Sequence, residues 1–117
     1  MPCRDLAKLE PAFREKVEDI LEAMLAADIP VTVLETWRSV EDHEKNVRNG
    51  TSWVKRSKHC DGLAVDIGIT RYLDLPGWNP GGADWQFLGE LARAAGLTWG
   101  GDWKRKDMVH IEARDAQ

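Results

Sequence analysis

Cysteine is scarce in this chain: two thiols, Cys3 and Cys60, in 117 residues, with no paired C-x-x-C motif. That excludes a disulfide framework as the source of stability. Long apolar runs are missing as well. No stretch could span a membrane, and the first residues, Met-Pro-Cys-Arg-Asp, carry no apolar segment of signal-peptide length. Membrane insertion is therefore not expected, and synthesis in a cytoplasm is. An excess of positive charge is absent too. Sixteen basic residues stand against twenty acidic ones, for a net charge of −4 and a pI near 5.3, so neither nucleic acid nor an anionic membrane is favoured as a partner. There is no repeat, low-complexity tract or linker. Residues 1–117 read as a single domain, long enough to build a modest core without staples.

What is plentiful is tryptophan, six in all. Some must be core. Trp37, Trp53, Trp99 and Trp103 lie beside polar motifs, where a flat ring can either pack inward or line a groove.

Local patterns divide the chain into short helices and strands. From Pro11 to about Ala27, Phe13, Val17, Ile20, Leu21, Met24 and Leu25 follow helical three-and-four spacing, with charged residues largely opposite. Glu10-Pro11 suits the start of this helix and Asp28-Ile-Pro30 its end. Val31 to Thr36 is β-rich and short. Ser39 is placed to cap a helix carrying Val40 to Val47, with His43 on an exposed-looking face and Asn49-Gly50 as its stop. Thr51 to Lys58 is a polar, basic loop, and Thr70 to Gly82, rich in Pro and Gly, an irregular one. A helix over 83–95, a strand at Leu97–Trp99, a tight turn at Gly100–Trp103 and a strand from Met108 to Ala113 complete the chain. Intermixed elements without βαβ alternation predict an α+β fold, a small antiparallel sheet packed with two to three helices.

The chemistry concentrates in Ser57 to Ile69, Ser-Lys-His-Cys-Asp-Gly-Leu-Ala-Val-Asp-Ile-Gly-Ile. Leu63, Val65, Ile67 and Ile69 share one parity, and hence one face of a buried strand. Asp66 interrupts that run, and a carboxylate there is costly to desolvate unless a cation meets it. Seven residues upstream, beyond the flexible Gly62, stands His59. Near the end of the chain His110 follows Asp107 by three positions and shares its strand parity with Glu112. Two imidazoles and one carboxylate are a donor set that zinc accepts. With only three protein ligands, a fourth position stays open for water, as in catalytic sites. Asp107, carboxylate but not ligand, is then placed to take a proton from that water. Cys60, beside His59, offers a soft donor, but reads more simply as a small buried side chain.

Ser57-x-His59-x-x-Gly62-x-Ala64-x-Asp66, followed by Trp99-Gly-Gly-Asp-Trp103 and Asp107-x-x-His110-Ile-Glu112, resembles the zinc peptidoglycan peptidases of the D-alanyl-D-alanine carboxypeptidase and L-alanyl-D-glutamate peptidase family. The compact form of that family occurs in phage endolysins. The resemblance runs from about Leu34 to Glu112 and implies the hedgehog-like zinc-peptidase fold. It implies zinc on His59, Asp66 and His110, and Asp107 as general base. It also implies Arg38, within Thr36-Trp37-Arg38-Ser39, on the substrate carbonyl or developing oxyanion. Ser57 and Trp103 are candidate substrate contacts. Val109 and Ile111 depart from the proline and aromatic common at these positions, which touches groove shape more than metal binding. The expected substrate is a peptidoglycan stem peptide, cut at the L-alanyl-D-glutamate bond, with D-alanyl-D-alanine cleavage and a non-catalytic wall-binding module as alternatives. The expected protein is a monomer made in the host cytoplasm that acts at the wall after release.

Overall fold

The computed structural model describes residues 2–50, 57–73 and 82–114. Its seven main elements are helix α1 (Pro11–Ala26), strand β1 (Val31–Glu35), helix α2 (Val40–Arg48), strand β2 (Ala64–Ile69), helix α3 (Ala83–Ala94), and strands β3 (Leu97–Trp99) and β4 (His110–Ala113). The strands form one antiparallel sheet in the order β1-β2-β4-β3. This is the α+β architecture that the sequence pattern predicts.

Helix α1 starts where Glu10 folds its carboxylate back to accept from the backbone N–H groups of Ala12 and Phe13. Pro11 sits at the first helical position, where a missing N–H costs nothing. The helix buries Phe13, Val17, Ile20 and Met24, one stripe at helical spacing. Fully burying an apolar side chain of this size contributes roughly 1.5–3 kcal/mol. Leu25, expected on the same stripe, is 68% exposed. The stripe drifts round the helix, and in the last turn Met24 alone reaches the core. The chain then leaves α1 through Asp28 in the left-handed region, φ 62°, a conformation that aspartate tolerates better than most residues.

The same core cluster takes in Trp85, Leu88 and Ala92 of α3, together with Val65, Ile67 and Ile69 of β2, Leu97 and Trp99 of β3 and Ile111 of β4. One face of the sheet is thus covered by this core. Since side chains alternate along a strand, Ala64, Asp66 and Gly68 of β2 and His110 and Glu112 of β4 take the other face. Trp99 belongs to the core and not to a groove. It is 1% exposed, and its indole N–H donates to the Met108 carbonyl at 2.8 Å. Gly89 and Gly101 lie against its ring so closely that an added Cβ at either would stand 2.2 Å from a ring atom.

Pairing between β1 and β2 is irregular. Val31 faces Ile69 and Val33 faces Ile67, but Glu35 faces Asp66: the register slips by one residue between Val33 and Glu35. Regular alternation would leave Glu35 on the face of Val31 and Val33. The slip turns it to the opposite face, beside Asp66.

Candidate active site

Three strands carry a row of polar side chains across the uncovered face. Glu35, Asp66 and His110 are consecutive partners across β1, β2 and β4. His59 joins them from a 3₁₀ turn, Lys58–Asp61, just before β2. Two residues shape that turn. The Ser57 hydroxyl accepts from the His59 N–H at 3.1 Å, and Gly62 closes the turn at φ +70°. A Cβ on Gly62 would come within 2.8 Å of the Lys8 carbonyl oxygen, while the Gly62 carbonyl accepts from Glu10 N–H at 2.9 Å. The N-terminal segment is therefore packed directly behind the turn that presents His59. Ser57, 6% exposed, has the role of a cap in this arrangement.

His59, Asp66 and His110 converge so that one ligand atom from each lies within 4.8 Å of the others. Hydrogen bonds fix how each ring is presented. His59 Nδ1 lies 2.7 Å from the Thr36 carbonyl, which can only accept, so Nδ1 carries the proton and Nε2 faces Asp66 Oδ1 at 3.3 Å. His110 Nε2 donates to Glu112 Oε1 at 2.8 Å, so Nδ1 faces the same Asp66 oxygen at 3.1 Å. Lys58 in turn pairs with the other Glu112 oxygen at 3.1 Å. Two ring nitrogens thus aim at the same oxygen of one carboxylate, a donor set that could hold a cation. In the metal-free protein a proton on His110 supplies positive charge there. Burial opposes charging His110, but its bonds to Asp66 and Glu112 prevail and push its pKa up to about 9. Asp66 shows the mirror effect: desolvation is outweighed by the two histidines, which hold its carboxyl well below the usual range. A divalent metal fits the same donors, with each histidine's outer nitrogen already bonded as ligating imidazoles require.

Around this centre stand the other expected residues. Asp107 is half-buried on the loop before β4, tied by its N–H to the Gly100 carbonyl at 3.0 Å, and its own carbonyl accepts from His110 N–H at 3.2 Å. Burial, then the charge of Asp66, raise its pKa, with His110, His59 and Arg38 opposing. Trp103 tilts over the His110 ring with centroids 5.1 Å apart, and the His59 and His110 rings meet edge to face at 5.3 Å. Arg38 reaches the edge of the cluster, and its backbone N–H donates to the His59 carbonyl at 3.2 Å. Cys60 is a half-buried free thiol and takes no part in the donor cluster. Trp37 is 41% exposed, and Trp53 lies outside the described residues.

Sequence reasoning missed two members of this site. Glu35 bonds Arg38 through both carboxylate oxygens, Nε to Oε2 at 3.3 Å and Nη2 to Oε1. Only the register slip brings it there, so alternation could not have revealed it. His43, expected on an open helix face, is 1% exposed, and its Nδ1 lies 3.0 Å from Arg38 Nη1. Arg38 is consequently gripped on two sides. Glu35 outweighs burial in keeping the guanidinium charged.

Comparison with known proteins follows the same lines. The profile of the D-alanyl-D-alanine carboxypeptidase family matches residues 50–113, a span that includes His59, Asp66, Asp107 and His110. The chain belongs to that family. Members are peptidases, and this chain is one. It is 27% identical over 121 residues to the peptidoglycan L-alanyl-D-glutamate endopeptidase CwlK of Bacillus subtilis, covering 89% of this chain and 72% of that protein. It is 30% identical over 98 residues to the L-alanyl-D-glutamate peptidase of Listeria phage A118, covering 82% of this chain but 34% of the phage protein. Among solved structures, the Serratia marcescens L-Ala D-Glu endopeptidase ChiX superimposes with a TM-score of 0.74 at 26% identity, over 97% of this chain and 89% of that one. No described helix is long and apolar enough to cross a membrane.

Proposed function

We propose that this family member is a zinc peptidase that hydrolyses the stem peptides of peptidoglycan at the L-alanyl-D-glutamate bond. The observation that carries the reading is the His59–Asp66–His110 cluster, whose ring nitrogens are presented inward by Thr36 and Glu112. CwlK, the phage peptidase and ChiX, all named for that bond, support the specificity.

His59 Nε2, Asp66 and His110 Nδ1 would hold the metal. Bound zinc supplies Lewis-acid polarisation of water and of the scissile carbonyl. Every other role falls to the chain. The Asp107 carboxylate takes the proton from the attacking water and delivers it to the leaving amine nitrogen. The Arg38 guanidinium neutralises negative charge developing on the carbonyl oxygen. Glu35 and His43 engage three of its five N–H donors and aim the remainder. Trp103, over His110, forms a wall against which part of the substrate can stack. The protein acts as a monomer at the cell wall, as a lysis enzyme of phage type.

A second reading has its own support, because the matching profile is described by D-alanyl-D-alanine carboxypeptidase activity. Digestion of purified peptidoglycan with the zinc-loaded protein, followed by mass spectrometry, separates the two. A new free amine on D-glutamate is expected. Released D-alanine with no new D-glutamate terminus would overturn the bond assignment in favour of carboxypeptidase action.

A further inference from the structure

The three-residue donor cluster has a further carboxylate at its edge. Glu35 faces Asp66 across β1 and β2, on the face that also carries His110. Its Oε1 lies 3.9 Å from His59 Nε2, the nitrogen turned toward the metal donors. Glu35 does not join the three convergent ligand atoms, because Arg38 holds both of its oxygens. The arginine is itself anchored: His43 Nδ1 meets Nη1 at 3.0 Å, and the Arg38 backbone is pinned to the His59 carbonyl. Glu35 and Arg38 are each largely buried, with side chains 15% and 13% exposed, so a released carboxylate would find little water to solvate it.

We propose that Arg38 acts as a restraint on Glu35, withholding a fourth protein ligand and so keeping one metal position open. A site with three protein ligands retains an exchangeable position, whereas four close it and make it structural. Without the guanidinium, Glu35 would be a buried, unpaired anion beside a divalent cation, and a small side-chain rotation would satisfy both. The arginine thereby gains a second role, independent of any contact with substrate. Glu35 and Arg38 are in this respect positioning residues. The inference rests on the metal assignment of the preceding section.

Cobalt(II) substitution of the full chain tests it, read by zinc competition for affinity, by d–d absorption for coordination, and by azide titration for the open position. Wild-type protein is expected to bind one cobalt and to change spectrum with azide. Arg38→Ala should bind metal more tightly, by about tenfold or more, and lose the azide response. Arg38→Ala combined with Glu35→Gln should regain both wild-type affinity and azide binding. Arg38→Gln provides the same comparison if the alanine variant does not fold. An arginine variant that keeps wild-type affinity and azide response overturns the restraint. So does a double variant that behaves like the single one. Failure of the metal assignment looks different: wild type then binds no cobalt, and His59→Ala changes nothing.

Discussion

Replacing Gly100 by alanine is the most stringent check on how the site is held. Gly100 precedes the loop that carries Asp107 and lies behind both Asp107 and His110. A Cβ at position 100 would stand 2.4 Å from the Asp107 carbonyl oxygen, 3.1 Å from Asp107 Cβ and 3.2 Å from His110 Cβ. Real Cβ contacts begin near 3.0 Å, so the Asp107 carbonyl must retreat by roughly half an ångström or more. It cannot do so alone. That carbonyl accepts from His110 N–H, and the Asp107 N–H donates to Gly100 itself. The displacement is passed to the proposed base and to one proposed ligand together. Overpacking of this kind costs about 1–3 kcal/mol. A misplacement approaching 1 Å at reacting groups is worth on the order of 10²-fold in rate. Thermal unfolding of the metal-free variant should show the stability loss, and kcat on a stem-peptide substrate should fall by about 10-fold to 10²-fold. Zinc affinity should drop through the shift of His110. A Gly100→Ala protein with unchanged melting temperature and unchanged kcat would refute the claim that this glycine sets the spacing of Asp107 and His110.

Three further outcomes are expected. Asp107→Asn should retain one equivalent of zinc yet lose about 10²- to 10⁴-fold in kcat, measured by metal analysis beside turnover; undiminished turnover would remove Asp107 from proton transfer. Because His110 in the metal-free protein stays protonated to about 9, zinc must displace a proton below that pH. Affinity should therefore rise about tenfold per pH unit between 7 and 9, with about one proton released at pH 7. Calorimetry in buffers of different ionisation enthalpy measures it, and release of none would contradict the assignment. The same raised pKa contributes stability to the metal-free protein that is fully present below 6.5 and is lost as pH rises through about 9. Gly62→Ala should destabilise by about 1–3 kcal/mol in chemical denaturation, since the new methyl meets the Lys8 carbonyl at 2.8 Å in a left-handed conformation; a neutral effect would mean that the N-terminal segment is not packed behind the His59 turn as described.

The two kinds of information divide along a physical line. Apolar periodicity over Phe13, Val17, Ile20 and Met24 was sufficient to place α1, since any partner surface must accept that stripe. Alternation through Val65, Ile67 and Ile69 likewise placed β2 and marked Asp66 as the carboxylate in need of a cation. The Ser39 cap and the Asn49-Gly50 stop were equally local, because their hydrogen bonds and dihedral angles span only a few residues. Long-range relations were another matter. Leu25 and Trp99 are both apolar, yet one is exposed and the other is core, and only the arrangement of neighbouring elements distinguishes them. His43 looks solvated on its own helix, and became a buried partner of Arg38 because α2 docks beside the site. Glu35 is the clearest case. Its chemistry is written in the chain, but its face of the sheet depends on a one-residue slip against β2. The sequence by itself determined which groups this protein can offer to a cation, while the tertiary structure decided which of them converge, because register and docking arise from pairings remote along the chain.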